Sequence, residues 1–339
     1  MRESVSGALE AIARQVWDGE PGYQSVSVLL RPISWIYGGA VGVRNQFLDW
    51  GGAIRPEGVS VVSVGNLAVG GTGKTPVAGW VVEQLLRQGH RPAVVARGYG
   101  RDEIALHASW HPGTPVIANP DRVAGALEAA AQGADVVVLD DGFQHRRLAR
   151  DVDLVLLAAE DRFPGHLLPS GPYRESVRGL SRADGIIVTR KVASRETAQG
   201  LIEKARRWAP DSAIALVHLR PSGWTTLSGE TAEAPDTAVL VAAGIARPQA
   251  FWDVVAWESG QEVELLAFAD HHEYDAADVD HIQRIAGERV IVVTEKDSMK
   301  LRPYSDGLGD VRVLHQEVYF ESGREDIEVL LTLSAGPVQ

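Results

Sequence analysis

Between residues 59 and 189, short apolar runs alternate with longer amphipathic stretches. The runs at 59–65, 91–96, 135–140, 152–158 and 184–189 are dominated by valine, leucine, isoleucine and alanine, as strands buried on both faces require. Helices are expected between them, notably over 75–88 and 121–132. This rhythm predicts an α/β fold whose parallel sheet is covered on both faces, with ligands at the carboxyl ends of the strands. From 221 to 237 turn formers and small polar residues take over, as in Pro221-Ser-Gly-Trp and Leu227-Ser-Gly-Glu, and the stretch reads as a linker. A second alternating unit follows, with strands at 238–244, 262–268, 289–294 and 311–319 and helices at 247–259, 275–287 and 324–333. The expected organisation is an N-terminal segment over 1–50, a larger domain over 51–220, a short β linker over 221–237 and a smaller α/β domain over 238–339.

The first fifty residues fit neither unit. Val5, Leu9, Ile12 and Val16 repeat at helical spacing, and the stretch from Tyr23 to Trp50 concentrates apolar and aromatic residues around Arg31 and Arg44. No uncharged run there approaches the roughly 20 residues of a spanning helix. Two readings fit this composition equally: an interfacial membrane helix, or a helical arm packed on its own domain. The opening carries Glu3, Glu10, Asp18 and Glu20 and no apolar core of a secretory signal.

Composition narrows the chemistry. The chain has 339 residues, enough for two α/β domains, and no cysteine, which excludes disulfides, thiolate metal sites and cysteine nucleophiles. Its net charge of −12 gives no footprint for nucleic acid.

The strand at 59–65 runs into Val64-Gly-Asn-Leu-Ala-Val-Gly-Gly-Thr-Gly-Lys-Thr-Pro76. Gly70, Gly71, Thr72 and Gly73 form a loop whose glycines let backbone N–H groups converge on phosphate oxygens. Lys74 is placed to reach the β- and γ-phosphates, and the Thr75 hydroxyl is suited to Mg²⁺. Pro76 falls in the first helical turn, where proline loses no hydrogen bond. Ala68 replaces the usual first glycine of the motif. The reading is a P-loop-type domain that binds a nucleoside triphosphate such as ATP. Ala134-Asp-Val-Val-Val-Leu-Asp-Asp141 supplies the second half of such a site, a buried strand ending in two carboxylates. We assign Asp140 to the Mg²⁺ side and Asp141 to the nucleotide side.

Six ordered blocks carry a resemblance. They are the phosphate loop, Arg97-Gly-Tyr-Gly100, Asp140-Asp-Gly-Phe-Gln-His-Arg-Arg-Leu148, Leu168-Pro-Ser-Gly-Pro-Tyr-Arg-Glu175, Gly244-Ile-Ala-Arg-Pro248 and Thr294-Glu-Lys-Asp297. With Trp17-Asp-Gly-Glu-Pro21 and Pro32-Ile-Ser-Trp-Ile-Tyr37 they resemble the tetraacyldisaccharide 4′-kinases, the lipid A 4′-kinases of Gram-negative bacteria. The resemblance implies two α/β domains joined by a short β-ribbon around a shared cleft. It implies transfer of the ATP γ-phosphate, with Mg²⁺, to the 4′-hydroxyl of an acylated glucosamine disaccharide 1-phosphate, giving lipid IVA. The reaction is implied at the cytoplasmic face of the inner membrane, with an N-terminal apolar helix as the anchor.

The resemblance also implies site residues. In the family an Asp of a Gly-Asp-Glu-Pro motif takes the hydroxyl proton, working with a His of the second domain. The segment after Gly100 is shorter here, and its closest match, Arg101-Asp-Glu-Ile104, puts the base on Asp102, with Glu103 and Asp121 as substitutes. His271, which follows Asp270 directly, is the implied partner, ahead of His272. Gln144 and His145 are expected at the phosphates. Glu175 is expected near Mg²⁺, or else in a surface pair with Arg174. Arg122 and Arg174 are expected to contact phosphate or substrate. Two other classes compete: a soluble small-molecule kinase or ligase, and a regulatory ATPase with no acceptor alcohol.

Overall fold

The computed structural model describes residues 12–17, 19–20, 22–98 and 101–335. Val5 and Leu9, part of the expected N-terminal helical repeat, lie outside them. Central strand β1 (Ser60–Asn66) is buried almost throughout and pairs in parallel with β4 (Val136–Asp140) and β5 (Val152–Ala158). Outward from β4 lie β2 (Pro92–Ala96) and β3 (Val116–Ala118); outward from β5 lie β6 (Gly185–Arg190) and β7 (Ala213–Thr226). Helices cover both faces. On one, α2 (Lys74–Arg87) buries Val77, Val81 and Leu85 against Val62, Val64 and Val138. On the other, α4 (Arg122–Ala131) buries Ala126 and Ala129 against Val61, Val137 and Leu139. Burying a single such side chain contributes roughly 1.5–3 kcal/mol, and unbroken β-branched runs suit this two-sided burial.

One sheet runs through both lobes. Strand β7 pairs in parallel with β6 over residues 213–218, and from Leu216 to Thr226 it runs antiparallel to β12 (Val311–Ser322). The start of β12 in turn pairs in parallel with β11 (Val290–Thr294), which leads to β9 (Val239–Ala243) and β10 (Val263–Ala267). Residues 221–226, expected within a linker, are therefore the outer half of a 14-residue strand. Only the short hairpin to β8 (Thr231–Ala232) and the turn beyond it fit the linker expectation. The turn formers misled because a ribbon edge tolerates them; Gln316 of β12 lies opposite Pro221 at a register shift.

The chain also returns. Helix α9 (Arg324–Ala335) buries Ile327 and Leu331 in the core of the first lobe, although its residues follow the second. Gly323 makes that turn with φ 75°, and a Cβ there would sit 2.3 Å from the Ile214 carbonyl oxygen. Only glycine fits.

At the N-terminal side, Gln24–Gly51 is one 28-residue helix, α1, long and apolar enough by length and composition to cross a membrane. Its outer side exposes Leu29, Trp35, Ile36, Phe47 and Trp50. Its inner side is bolted to the first lobe: Tyr37 donates to the Arg174 carbonyl at 2.9 Å, and Ser27 to that of Ser170 at 3.0 Å.

Candidate active site

The phosphate loop joins β1 to α2. Asn66 Nδ2 donates to Thr72 Oγ1 at 2.9 Å, and Thr189 Oγ1 donates to the Thr72 carbonyl at 2.8 Å. Lys191 Nζ reaches the Gly71 carbonyl at 3.4 Å. Gly73 caps α2 with φ 85°, and a Cβ on it would lie 2.3 Å from Leu219 Cδ1. A Cβ on Gly70 would meet nothing within 4 Å, so the loop borders open space. With α2 starting at Lys74, unpaired N–H groups of its first turn and the positive end of its dipole lie at this loop. A cleft of about 830 Å³ opens beside Gly70, lined also by Arg14, Asp161, Ala246 and Arg247.

The tip of β4 faces the loop. Asp141 takes φ 60°, a left-handed conformation uncommon for a non-glycine residue. Its carboxylate receives Arg174 Nη1 at 2.8 and 2.9 Å and lies 3.7 Å from Lys74 Nζ. Burial pushes this carboxyl up, but Lys74 and Arg174 outweigh it and hold it at about 2. Asp140 is buried, with Oδ2 3.0 Å from His107 Nε2. Burial again opposes ionisation, yet the His107 hydrogen bond and the Lys74 charge keep Asp140 below the usual carboxylate range.

Arg122 is not the surface charge its helix-start position allows. It is 2% exposed, donates to the Asn119 carbonyl at 2.6 Å, and leaves Nε and Nη2 without partners. Burial lowers its proton affinity while Asp141 and Asp140 raise it. Two guanidinium nitrogens are thus left without partners near two carboxylates. His145 is pushed down to about 4 by burial and by Arg122, so it is neutral at physiological pH. Thr75 is buried in the first turn of α2.

Gln144 and Glu175 form a bracket. Gln144 donates to the Asn66 carbonyl at 2.8 Å and to Glu175 Oε1 at 3.0 Å, and accepts from Arg174 at 3.2 Å. Glu175 Oε2 pairs with Arg182 at 2.9 Å. The expected surface pair between Glu175 and Arg174 does not form. Glu175 is buried, and the charge of Arg174 goes to Asp141.

Opposite lies the second carboxylate site. The segment after Gly100, expected as a shortened loop, is helix α3 (Arg101–Trp110), with Asp102 and Glu103 in its first turn, where the helix dipole favours negative charge. Asp102 is 2% exposed and lies 3.1 Å from His271 Nδ1 and 3.4 Å from Lys300 Nζ. Burial opposes its ionisation, but His271, Lys296 and Lys300 hold it well below the usual range. His271 adopts φ 58°, and its N–H donates to the Gly244 carbonyl at 3.0 Å. Its imidazole is pushed up by the hydrogen bond with Asp102 more than burial lowers it. The two alternatives for the base are occupied elsewhere. Glu103 pairs with Lys296 at 3.1 Å, and Asp121 caps α4 by accepting from the N–H groups of Val123 and Ala124. His272 turns away to Asp278 at 2.7 Å.

Residues 26–333 match the family model described as LpxK, tetraacyldisaccharide-1-P 4′-kinase. A tetraacyldisaccharide 4′-kinase of Anaeromyxobacter sp. strain Fw109-5 is 35% identical over 335 residues, covering 86% of this chain and 88% of that one. That of Pseudomonas fluorescens strain Pf0-1 is 36% identical over 298 residues, covering 82% and 84%.

The chain belongs to the tetraacyldisaccharide 4′-kinase family.

A solved structure described as the "apo" form of LpxK from Aquifex aeolicus in complex with ATP superposes with TM-score 0.69 over 90% of this chain and 98% of that one. At 24% identity that likeness speaks for the shared fold.

Several residues around the family's site went unassigned in the sequence. Helix α8 (Glu295–Leu301) carries the Glu-Lys-Asp block and packs on α3. Lys296 and Lys300, four residues apart on one helical face, serve Glu103 and Asp102. Glu295 Oε1 accepts from Trp110 Nε1 at 3.1 Å and pairs with His315 at 2.8 Å. Asp297 is structural: buried, it accepts from the Gly244 N–H and from Tyr274. The four-residue spacing of the lysines was a usable signal. His107 had none, because only the fold brings it to Asp140.

Proposed function

We propose that this kinase transfers the γ-phosphate of ATP to the 4′-hydroxyl of a tetraacyldisaccharide 1-phosphate, with Asp102 as the proton acceptor and His271 as its partner. One observation carries the assignment of roles. A buried, ionised carboxylate paired with a half-buried imidazole stands apart from the carboxylates of the phosphate loop, and a simple ATPase would have no use for it.

The residues present fit a nucleotide and a divalent cation. The open space over Gly70 and the orphaned nitrogens of Arg122 suit phosphate oxygens. Among the described residues no cluster of three or more His, Cys, Asp or Glu could cage a metal. Mg²⁺ is commonly held by one or two carboxylates together with substrate phosphates. Thr75 and Asp140 would hold it, with Glu175 bracing Gln144 behind them. When bound, the ion neutralises charge on the phosphates.

An alcohol is a weak nucleophile near neutral pH. Asp102 takes the hydroxyl proton as the new oxygen–phosphorus bond forms, and the bond from the γ-phosphorus to the oxygen of departing ADP breaks. Lys74, Arg122 and Arg174 surround the site with fixed positive charge, which costs no reorganisation during transfer. His271 orients Asp102 and, when neutral, leaves it more basic than when protonated.

We read α1 as the contact with the cytoplasmic face of the inner membrane. Its exposed leucine, isoleucine, phenylalanine and tryptophan side chains support an interfacial position. Replacing Trp35 and Ile36 by Glu should release protein from sedimenting vesicles; unchanged pelleting would refute the contact. The activity is tested in detergent micelles with γ-labelled ATP and the disaccharide acceptor. Label should appear in the lipid. ATP hydrolysis without labelled lipid would favour the regulatory ATPase instead.

A further inference from the structure

Among the described residues ahead of α1, Arg14 reaches the second lobe. Residues 12–17 are helical and seated on the first lobe: Val16 is buried, and Trp17 Nε1 donates to the Pro169 carbonyl at 3.0 Å. From this seat Arg14 extends across the cleft. One guanidinium nitrogen donates to the Ala246 carbonyl, and Nη2 lies 3.1 Å from Asp270 Oδ2. Both partners flank the loop that carries His271. The other carboxylate oxygen of Asp270 is 4.0 Å from His271 Nε2, and His271 Nδ1 is 3.1 Å from Asp102.

We propose that Arg14 is a positioning residue for phosphoryl transfer, holding Asp270 and through it the ring of His271, so that the segment before α1 completes the active centre. The proposal rests on the kinase reading above, but it concerns a residue on the cleft wall outside both the phosphate loop and the Asp102–His271 pair. A forked guanidinium is suited to the task, since it binds a carbonyl and a carboxylate together in a fixed plane. His271 sits in the left-handed region, a conformation that its surroundings must enforce. Its own N–H bond to Gly244 fixes the backbone. Arg14 fixes the neighbouring side chain.

The charges around His271 give the test a sign. It faces Asp102 from α3, Lys296 from α8 and Asp270 from its own loop, with Lys300 beyond Asp102 and Arg14 beyond Asp270. Asp270 raises the proton affinity of the imidazole and Lys296 lowers it. Arg14 partly neutralises Asp270. Removing Arg14 frees that negative charge and raises the affinity further, whereas neutralising Asp270 lowers it.

The experiment compares Arg14→Ala, Arg14→Lys, Asp270→Asn and the Arg14→Ala/Asp270→Asn double variant of the full chain. All are assayed in micelles across pH, and each is also sedimented with phosphatidylglycerol-containing vesicles. Arg14→Ala should lower kcat roughly tenfold and move the acidic limb of the kcat profile upward by about half a pH unit, with vesicle binding unchanged. Arg14→Lys should keep the limb in place, because the charge remains, while recovering only part of kcat. Asp270→Asn should move the limb downward, and the double variant should match Asp270→Asn. A wild-type profile for Arg14→Ala overturns the proposal, as does a loss of kcat with the limb unmoved or additive effects in the double variant. His271→Asn in the same series separates the readings: if it keeps full activity, the dyad assignment has failed and not merely the role of Arg14.

Discussion

The phosphate loop and the Asp102–His271 pair are two polar sites built in opposite ways. The loop's parts lie within one strand, one turn and one helix start, and the sheet only presents them. The pair joins residues 169 apart in the chain, one from each lobe, and exists only while α3 and α8 stay packed. A locally encoded site tolerates movement between lobes. A site assembled across lobes couples chemistry to their closure, since parting them separates base from partner. The extra bridges across the same boundary, Glu103–Lys296 and Trp110–Glu295, hold α3 against the second lobe.

The sharpest way to break the comparison is to remove the base. Asp102→Ala should lower kcat roughly 10²–10⁴-fold, the range for a general base, while ATP affinity changes little because the loop is intact. His271→Ala should cost less. The double variant should be scarcely worse than Asp102→Ala, since groups acting as a unit are non-additive. Steady-state kinetics with ATP and acceptor varied separately decides this; fully additive losses would dissolve the dyad.

Lys74→Ala should be the next largest loss, roughly 10²–10³-fold in kcat, by analogy with removal of one fixed electrostatic contact to the transition state. Here ATP affinity should fall as well, which distinguishes a nucleotide-site lesion from one at the acceptor side. Calorimetric titration with a non-hydrolysable ATP analogue measures it. Unchanged binding would mean that Lys74 serves Asp141 alone.

The same contrast explains what could be read in the sequence. Strands β1, β2, β4, β5 and β6 and helices α2 and α4 followed from apolar runs, because two-sided burial leaves an unbroken valine-rich pattern; the three-residue edge strand β3 is too short to leave one. The phosphate loop and Asp140–Asp141 followed from spacing, because their geometry is local. Helix α3 did not, since its buried face carries Asp102 and His107 where an apolar stripe would be expected. A β linker was expected, but not that residues 221–226 continue β7, because Pro221 and Gly223 read as turn formers while sitting in an irregular, partly exposed stretch of that strand. The return of α9 to the first lobe leaves no local trace either. Pairing of Asp102 with His271 came through family resemblance, and no periodicity would have supplied it. The same holds for Arg14, whose partners lie 232 and 256 positions away.

A gentler perturbation is pH. The His271 imidazole is raised above its ordinary value by its hydrogen bond with Asp102, burial opposing, so its titration falls above about 6.5. Below that titration His271 is charged and Asp102 is a weaker base, so kcat should fall roughly tenfold per pH unit on the acidic side. Asp102, held well below the usual range, stays ionised throughout and contributes no limb there. His145 lies at about 4 and is neutral across the same window. A kcat profile of the wild type against His271→Asn checks the assignment. If the limb survives in the variant, it belongs to another group.

The smallest expected effect is at Asp121, which sits close to Arg122 in sequence but faces a different task. Its carboxylate caps α4, accepting from Val123 N–H at 3.0 Å and Ala124 N–H at 3.3 Å, and its own N–H is held by Asn119. Those bonds satisfy backbone donors that the first helical turn cannot pair internally. Asp121→Ala should therefore cost about 1 kcal/mol of stability, the usual price of a lost cap, visible as a lower denaturation midpoint. Turnover at a temperature where the variant is fully folded should match the wild type. Asp121→Ser, which restores a capping oxygen without a carboxylate, should recover most of the stability. If Asp121→Ala instead abolishes turnover while Asp102→Ala retains it, the base lies at the start of α4, and the pairing of α3 with the second lobe is structural alone.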